Sequence, residues 1–198
     1  MLRIVLLMML GFGWIASAGA IEPLDELRAS FTIGGEPIPP EIFGDFGDAM
    51  ISDNRPIIVT IDALAAMHSN RYADPIKVKD RWVEQAKPQS GGINGPEAMA
   101  YQFIGTTDNG LLVVVASWTG GGTGVFYTLH VVDAASANAF DEDGTTYRRL
   151  NLTLVRSYIL GDRWQGDVSI TGHTIHIVTT ASRAERALGP VTLQAVRP

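Results

Sequence analysis

The chain has 198 residues, with 15 lysines and arginines against 21 aspartates and glutamates, and its formal net charge is −6. This balance argues against nucleic acid and anionic membrane surfaces as partners, because both are bound by basic surfaces. The chain has no cysteine, which excludes a disulfide framework, a thiol nucleophile, a thiolate zinc site and a lipoprotein anchor.

Residues 1–20 have the layout of a secretory signal peptide. Arg3 precedes an apolar run over residues 4–16, and small residues follow up to Ala20. The run is shorter than the stretch of about 20 residues that crosses a bilayer as a helix. We therefore expect cleavage after Ala20, a single exported domain over residues 21–198, and a periplasmic or secreted protein. The alternative is an uncleaved anchor.

The next part of the chain predicts short elements. Residues 22–29 are typical of a helical turn or a loose arm, and Gly34-Gly35 indicates a turn. Pro40 fits the first turn of a short helix over residues 41–50, where its missing N–H costs nothing. The β-branched residues between 57 and 62 predict a strand.

From Ile76 onward the pattern is that of antiparallel sheet. Asn109-Gly110 between two apolar runs is a strong hairpin signal, and Thr171-Gly172 marks a second hairpin. Residues 182–188 predict one helical turn. Further strands are predicted over residues 76–83, 100–106, 111–118, 125–133, 147–160 (one long strand or two), 167–170, 174–179 and 191–196.

Short strands at hairpin spacing, without crossover helices between them, argue against a parallel sheet. The predicted fold class is mainly β: an antiparallel sandwich or barrel-like single domain with one or two short helices.

The most unusual local string is the glycine-rich segment from Trp118 to Gly124. One interpretation is a binding loop in which the amides of Gly120, Gly121 and Gly122 face a ligand and Trp118 stacks on it. The other is a hairpin with bulges and close backbone approach, because a strand follows instead of the helix that a phosphate loop requires.

A second candidate is the turn that contains Arg163 and Trp164. Tryptophan and arginine dominate interface hot spots, so the two residues are candidates for a surface anchor. The structural alternative is a corner in which Arg163 contacts Trp164 or Asp162.

The sequence predicts no metal site and no cofactor; the alternative is a partial calcium site near Asp141 and Asp143. The spacing of these carboxylates suits calcium, but the EF-hand pattern fails because position 12 is Leu152. An Asp-Gly turn between strands explains the same residues. Of the four histidines, His130 is expected to pack or to form a hydrogen bond at a sheet edge.

Three strings carry a resemblance: WTGGGTGVF (118–126), DEDGTTY (141–147) and LGDRWQG (160–166). They are similar to stretches of exported bacterial proteins to which no activity is attached. The resemblance implies an exported, β-rich bacterial domain and no functional residue.

Two functions fit these observations. The first is a non-enzymatic binding or protein-interaction module whose partner, a protein or a small envelope ligand, is unknown. The alternative is a small cell-envelope hydrolase or ligand carrier. Its pocket would be a mouth lined by Trp82, Trp118, Trp164 and nearby carboxylates.

Overall fold

A computed structural model gives the fold of residues 22–48, 59–68, 72, 75–85, 97–181 and 190–197. The predicted signal peptide (1–20), the predicted turn over 182–188 and the end of the predicted helix over 41–50 lie outside these described residues. None of the described helices has the length and hydropathy of a membrane span.

The described residues contain three short helices, α1 (Pro23–Ser30), α2 (Ile42–Asp48) and α3 (Ala63–His68). Helices α1 and α2 lie where the sequence predicts a helical turn (22–29) and a short helix (41–50). Helix α3 was not predicted, so the described residues contain three helices where one or two were expected. Helix α3 begins directly after the strand Thr60–Asp62, so no turn or loop separates the two elements in the sequence. Asp62 Oδ1 caps α3 by accepting a hydrogen bond from the backbone N–H of Leu64 at 3.2 Å.

The strands build antiparallel sheets, as predicted, and none of the sheets closes into a barrel. The large sheet has seven strands in the order β3-β9-β8-β7-β6-β5-β4; a small sheet has the order β10-β11-β12, and β1 pairs with β2. The strands in the described part of the chain are β1 (Thr32–Ile33), β2 (Glu36–Pro37), β3 (Thr60–Asp62), β4 (Ile76–Lys79), β5 (Trp82–Gln85), β6 (Glu97–Thr106), β7 (Leu112–Gly120), β8 (Phe126–Phe140), β9 (Thr146–Asp162), β10 (Gln165–Thr171), β11 (Thr174–Ala181) and β12 (Val191–Gln194).

The large sheet is covered on both faces. On one face Leu112 and Val114 of β7 pack against the helices, in a helix-side core with Phe31, Phe43 and others. On the other face Val113 and Val115 pack against the small sheet, in a sheet-side core. Because both faces of β7 are buried, its sequence is a continuous apolar run and does not alternate with polar residues.

The predicted hairpins are confirmed by the register of the strands. Gly110, in the turn between β6 and β7, has φ +82°, and Gly172, between β10 and β11, has φ +62°. Residues 147–160 belong to one long strand, β9. The strand predicted over 76–83 is instead the hairpin β4–β5, which turns at Asp80 with φ +56°.

Candidate functional site

The glycine-rich segment connects β7 to β8 and places two aromatic rings side by side. The rings of Trp118 and Phe126 are stacked with centroids 5.9 Å apart, and the side chains are 40% and 49% exposed. A Cβ at Gly120 would lie 2.9 Å from the Trp118 ring. This glycine therefore leaves room for the indole to lie along the strand.

The loop after Trp118 is held by the corner at the end of β9. Asp162 Oδ1 accepts a hydrogen bond from the backbone N–H of Val125 at 2.9 Å, and Arg163 donates its backbone N–H to Val125 O at 2.7 Å. The Arg163 guanidinium contacts Asp162 at 2.9 Å and donates to the carbonyl oxygen of Thr123. These are the contacts of the structural corner. Gly121 takes a positive φ of +79°, and Gly122 has open space around it.

Trp164 does not join Trp118. It is buried in the sheet-side core, where its Nε1 donates to Thr179 Oγ1 at 2.9 Å and its ring lies 6.1 Å from that of Tyr127. Trp82 packs against the same core. The mouth expected to be lined by all three tryptophans is therefore not formed, because Trp118 lies on the opposite face of the large sheet.

On the helix side, Trp118 borders a cavity of about 190 Å³. We call it the acidic cavity; the described residues that line it are Glu41, Asp45, Tyr72, Gln85, Glu97, Ala98, Met99 and Trp118. Its floor is β6, where the N–H of Met99 donates to Gln85 Oε1 at 2.7 Å. Helix α2 packs closely over β6: a Cβ added at Gly44 would lie only 2.8 Å from Met99 Cε.

Three of these eight residues are acidic, and none of them is basic. Asp45 accepts a hydrogen bond from the Tyr72 hydroxyl at 2.6 Å. Glu41 differs, because both of its carboxylate oxygens are buried and neither has a hydrogen-bond partner among the described residues. A buried charge without a partner is costly, so a cationic group placed at this carboxylate would be stabilising.

The sequence alone did not single out Glu41 or Tyr72. It gives Glu41 only as the first residue of the predicted helix over residues 41–50. One signal was available: Glu41 is the charged residue in the run from Ile38 to Phe43, whose other members are all buried. A charge inside such a run is unusual unless it is paired.

Asp141, near which the alternative calcium site would lie, and Asp62 both have structural contacts. Asp141 Oδ1 accepts hydrogen bonds from the backbone N–H groups of Asp143 (3.1 Å) and Thr145 (2.7 Å), as in an Asx turn. Asp62 binds Arg149 Nε at 3.2 Å in addition to capping α3. Among the described residues, no group of three or more histidines and carboxylates is arranged to hold a metal ion.

His130 lies on β8, an interior strand of the large sheet, so the packing expected of it is confirmed and the alternative position at a sheet edge is wrong. It faces the helix-side core, with its ring 5.4 Å from that of Phe43. Burial lowers the pKa of His130 to about 4. The residue is therefore a neutral core histidine and lies outside the lining of the acidic cavity.

Comparison of the chain with protein-family models, curated proteins and solved structures finds no match. The resemblance to exported bacterial proteins therefore stays an expectation.

Proposed function

We propose that the chain is an exported, non-enzymatic interaction module that takes a basic side chain of a partner protein into the acidic cavity. The observation that carries the proposal is the unpartnered carboxylate of Glu41. A lysine or arginine side chain supplies the missing donor and the compensating charge, and charge-assisted hydrogen bonds are the strong ones.

The aromatic residue at the rim supports the same ligand. Trp118 lines the cavity and is 40% exposed. Tryptophan is the best aromatic partner for a cation, and arginine is the cation that most often stacks on it. A cavity bordered by carboxylates and an indole thus favours a guanidinium or ammonium group over an anion.

The size of the cavity favours a side chain over a free ligand. Its volume is about 190 Å³, whereas pockets for small molecules are typically about 300–1,000 Å³. The rest of the partner would lie on the surface around Trp118 and Phe126, whose rings are already stacked and exposed.

The proposal is tested by titrating the exported chain with the peptide acetyl-Gly-Gly-Arg-Gly-Gly-amide and following the Trp118 indole N–H by NMR. The control peptide carries Glu in place of Arg. We expect saturable shifts with the Arg peptide and none with the Glu peptide. Equal shifts with both peptides would overturn the proposal.

Two variants locate the site. Glu41→Gln removes the charge with little change of shape and is expected to weaken Arg-peptide binding about tenfold or more. Glu36→Gln is the matched control, since Glu36 is exposed on β2 and does not line the cavity. It is expected to bind as the wild type does.

The alternative function, a hydrolase or ligand carrier with an aromatic and carboxylate pocket, would use the same cavity. It predicts turnover or stoichiometric capture of an envelope compound and no discrimination between the Arg and Glu peptides.

Export is proposed separately, and its test is the intact mass of the protein from its own host. A mass that begins at Ile21 supports export with cleavage, and one that begins at Met1 contradicts it.

A further inference from the structure

A second opening lies on the other face of the large sheet, between β9 and β12. The small sheet covers only part of the large one, and the gap is a cleft of about 370 Å³. This volume falls within the range of about 300–1,000 Å³ that is typical of ligand sites. It is separate from the acidic cavity, because the large sheet lies between the two.

The interior of the cleft is apolar. Leu129 of β8 forms part of its lining, and Ile175 and Leu193 of the small sheet line it on one side. On the other side Val155 and Tyr158 of β9 are only partly buried, although they belong to the sheet-side core. An apolar surface left partly open in this way gains from an apolar occupant.

The mouth of the cleft is basic. Arg156 lies directly opposite Val131, whose side chain is in the sheet-side core, so the two side chains share one face of the sheet. Arg156 is exposed and has no ion pair with any described residue. A chain whose formal net charge is −6 therefore carries an unpaired cation beside an apolar cleft.

A second arginine lines the same mouth. Nη2 of Arg197 lies 3.2 Å from Asp133 Oδ1, but that oxygen accepts no hydrogen bond from any described residue, so the pair is held by charge alone. The Arg197 side chain is 45% exposed and lines the cleft, so its guanidinium also faces solvent at the mouth. Because a guanidinium has five N–H donors, Arg197 can contact an anion at the mouth while it stays beside Asp133.

We propose that this cleft binds a single-chain anionic amphiphile, with its hydrocarbon tail between the sheets and its anionic head at Arg156 and Arg197. The apolar lining selects the tail, and the two arginines select the sign of the head. The inference does not depend on the function proposed for the acidic cavity.

The test uses laurate, below its micellar concentration, as the probe in native mass spectrometry and calorimetry. Dodecyltrimethylammonium has the same tail with a positive head, and acetate has the head without the tail. We expect one laurate per chain, at least tenfold weaker binding of dodecyltrimethylammonium, and no binding of acetate. Equal affinity for the two amphiphiles, or no uptake of laurate, would overturn the proposal.

Four variants on β9 complete the test. Arg156→Gln is expected to weaken laurate binding about tenfold, whereas Arg148→Gln, also on β9 but outside the cleft lining, is expected to have no effect. Val155→Phe fills the cleft and is expected to abolish binding. Ile159→Phe is its control, since Ile159 is 64% exposed and does not line the cleft. An equal loss of laurate binding in a variant and its control would overturn the assignment. The Arg156→Gln variant is expected to fold, because Arg156 is exposed.

Discussion

His130 Nδ1 lies 2.8 Å from Ser157 Oγ, across the pairing of β8 and β9 in the large sheet. The imidazole is 2% exposed and packs against the rings of Phe43 and Phe46. The hydrogen bond satisfies one ring nitrogen, and the apolar surroundings disfavour the charged form. The helix-side core thus contains a titratable group that is kept neutral.

The first prediction concerns pH. Burial lowers the pKa of His130 from 6.5 to about 4 in the folded protein. Between these values the unfolded chain binds a proton at His130 that the folded chain does not bind, so stability falls as pH falls from 6.5 towards 4. The expected loss is up to about 3 kcal/mol in the free energy of unfolding, measured by urea denaturation at several pH values.

The variant His130→Gln isolates this contribution from that of the acidic residues. Its stability is expected to change less between pH 6.5 and pH 4 than that of the wild type. His173→Gln, at an exposed turn position, is expected to leave the wild-type pH dependence intact. If the dependence is the same in all three proteins, His130 does not titrate in the way described.

The second prediction concerns Tyr101. Its side chain is 1% exposed, with its ring 5.3 Å from that of Phe31 and 5.1 Å from that of Phe43. Burial raises the pKa of Tyr101, an effect opposed by the nearby backbone of Ile38, and the hydroxyl forms no well-aligned hydrogen bond with any described residue. Tyr101→Phe is therefore expected to leave the free energy of unfolding unchanged or to raise it by up to about 1 kcal/mol. Tyr101→Ala is expected to lower it by about 3–5 kcal/mol. A marked loss in Tyr101→Phe would show that the hydroxyl has a partner.

The third prediction concerns two glycines. A Cβ at Gly166 would overlap the carbonyl oxygen of Val178 and lie 2.5 Å from the Trp164 ring, whereas Gly122 has nothing within 4 Å. Gly166→Ala is expected to cost about 2–3 kcal/mol in the free energy of unfolding, because backbone has to move. Gly122→Ala is expected to change it by less than about 0.5 kcal/mol. Similar losses in both variants, measured by chemical denaturation, would contradict the close approach of β10 and β11.

The sequence predicted the elements whose signals are local. Gly110 and Gly172 mark their hairpins because the turns require a positive φ, which glycine adopts at little cost. The antiparallel sandwich follows from the short spacing between strands. Residue types and spacing carried these predictions without any information on contacts between distant strands.

The sequence did not predict which side chains meet across the fold. The register of β8 and β9 shifts at two positions, and each shift changes which residues face a given side of the sheet. The positions of Trp118 and Trp164 in the sequence therefore do not reveal that the two side chains lie on opposite faces of the large sheet. Glu41 and Trp118 line the same cavity because helix α2 packs over β6. That packing is a long-range contact.

The fourth prediction concerns Glu41→Gln and tests whether the Glu41 carboxylate binds a basic side chain. The free energy of unfolding and the affinity for the Arg peptide are measured on the same variant. If the carboxylate is buried for a basic ligand, removing its charge should stabilise the free protein by about 1–2 kcal/mol. The same change should weaken Arg-peptide binding about tenfold or more. A free protein that becomes less stable while it binds the peptide as before would contradict the account, because Glu41 would then be a structural residue and not the ligand site.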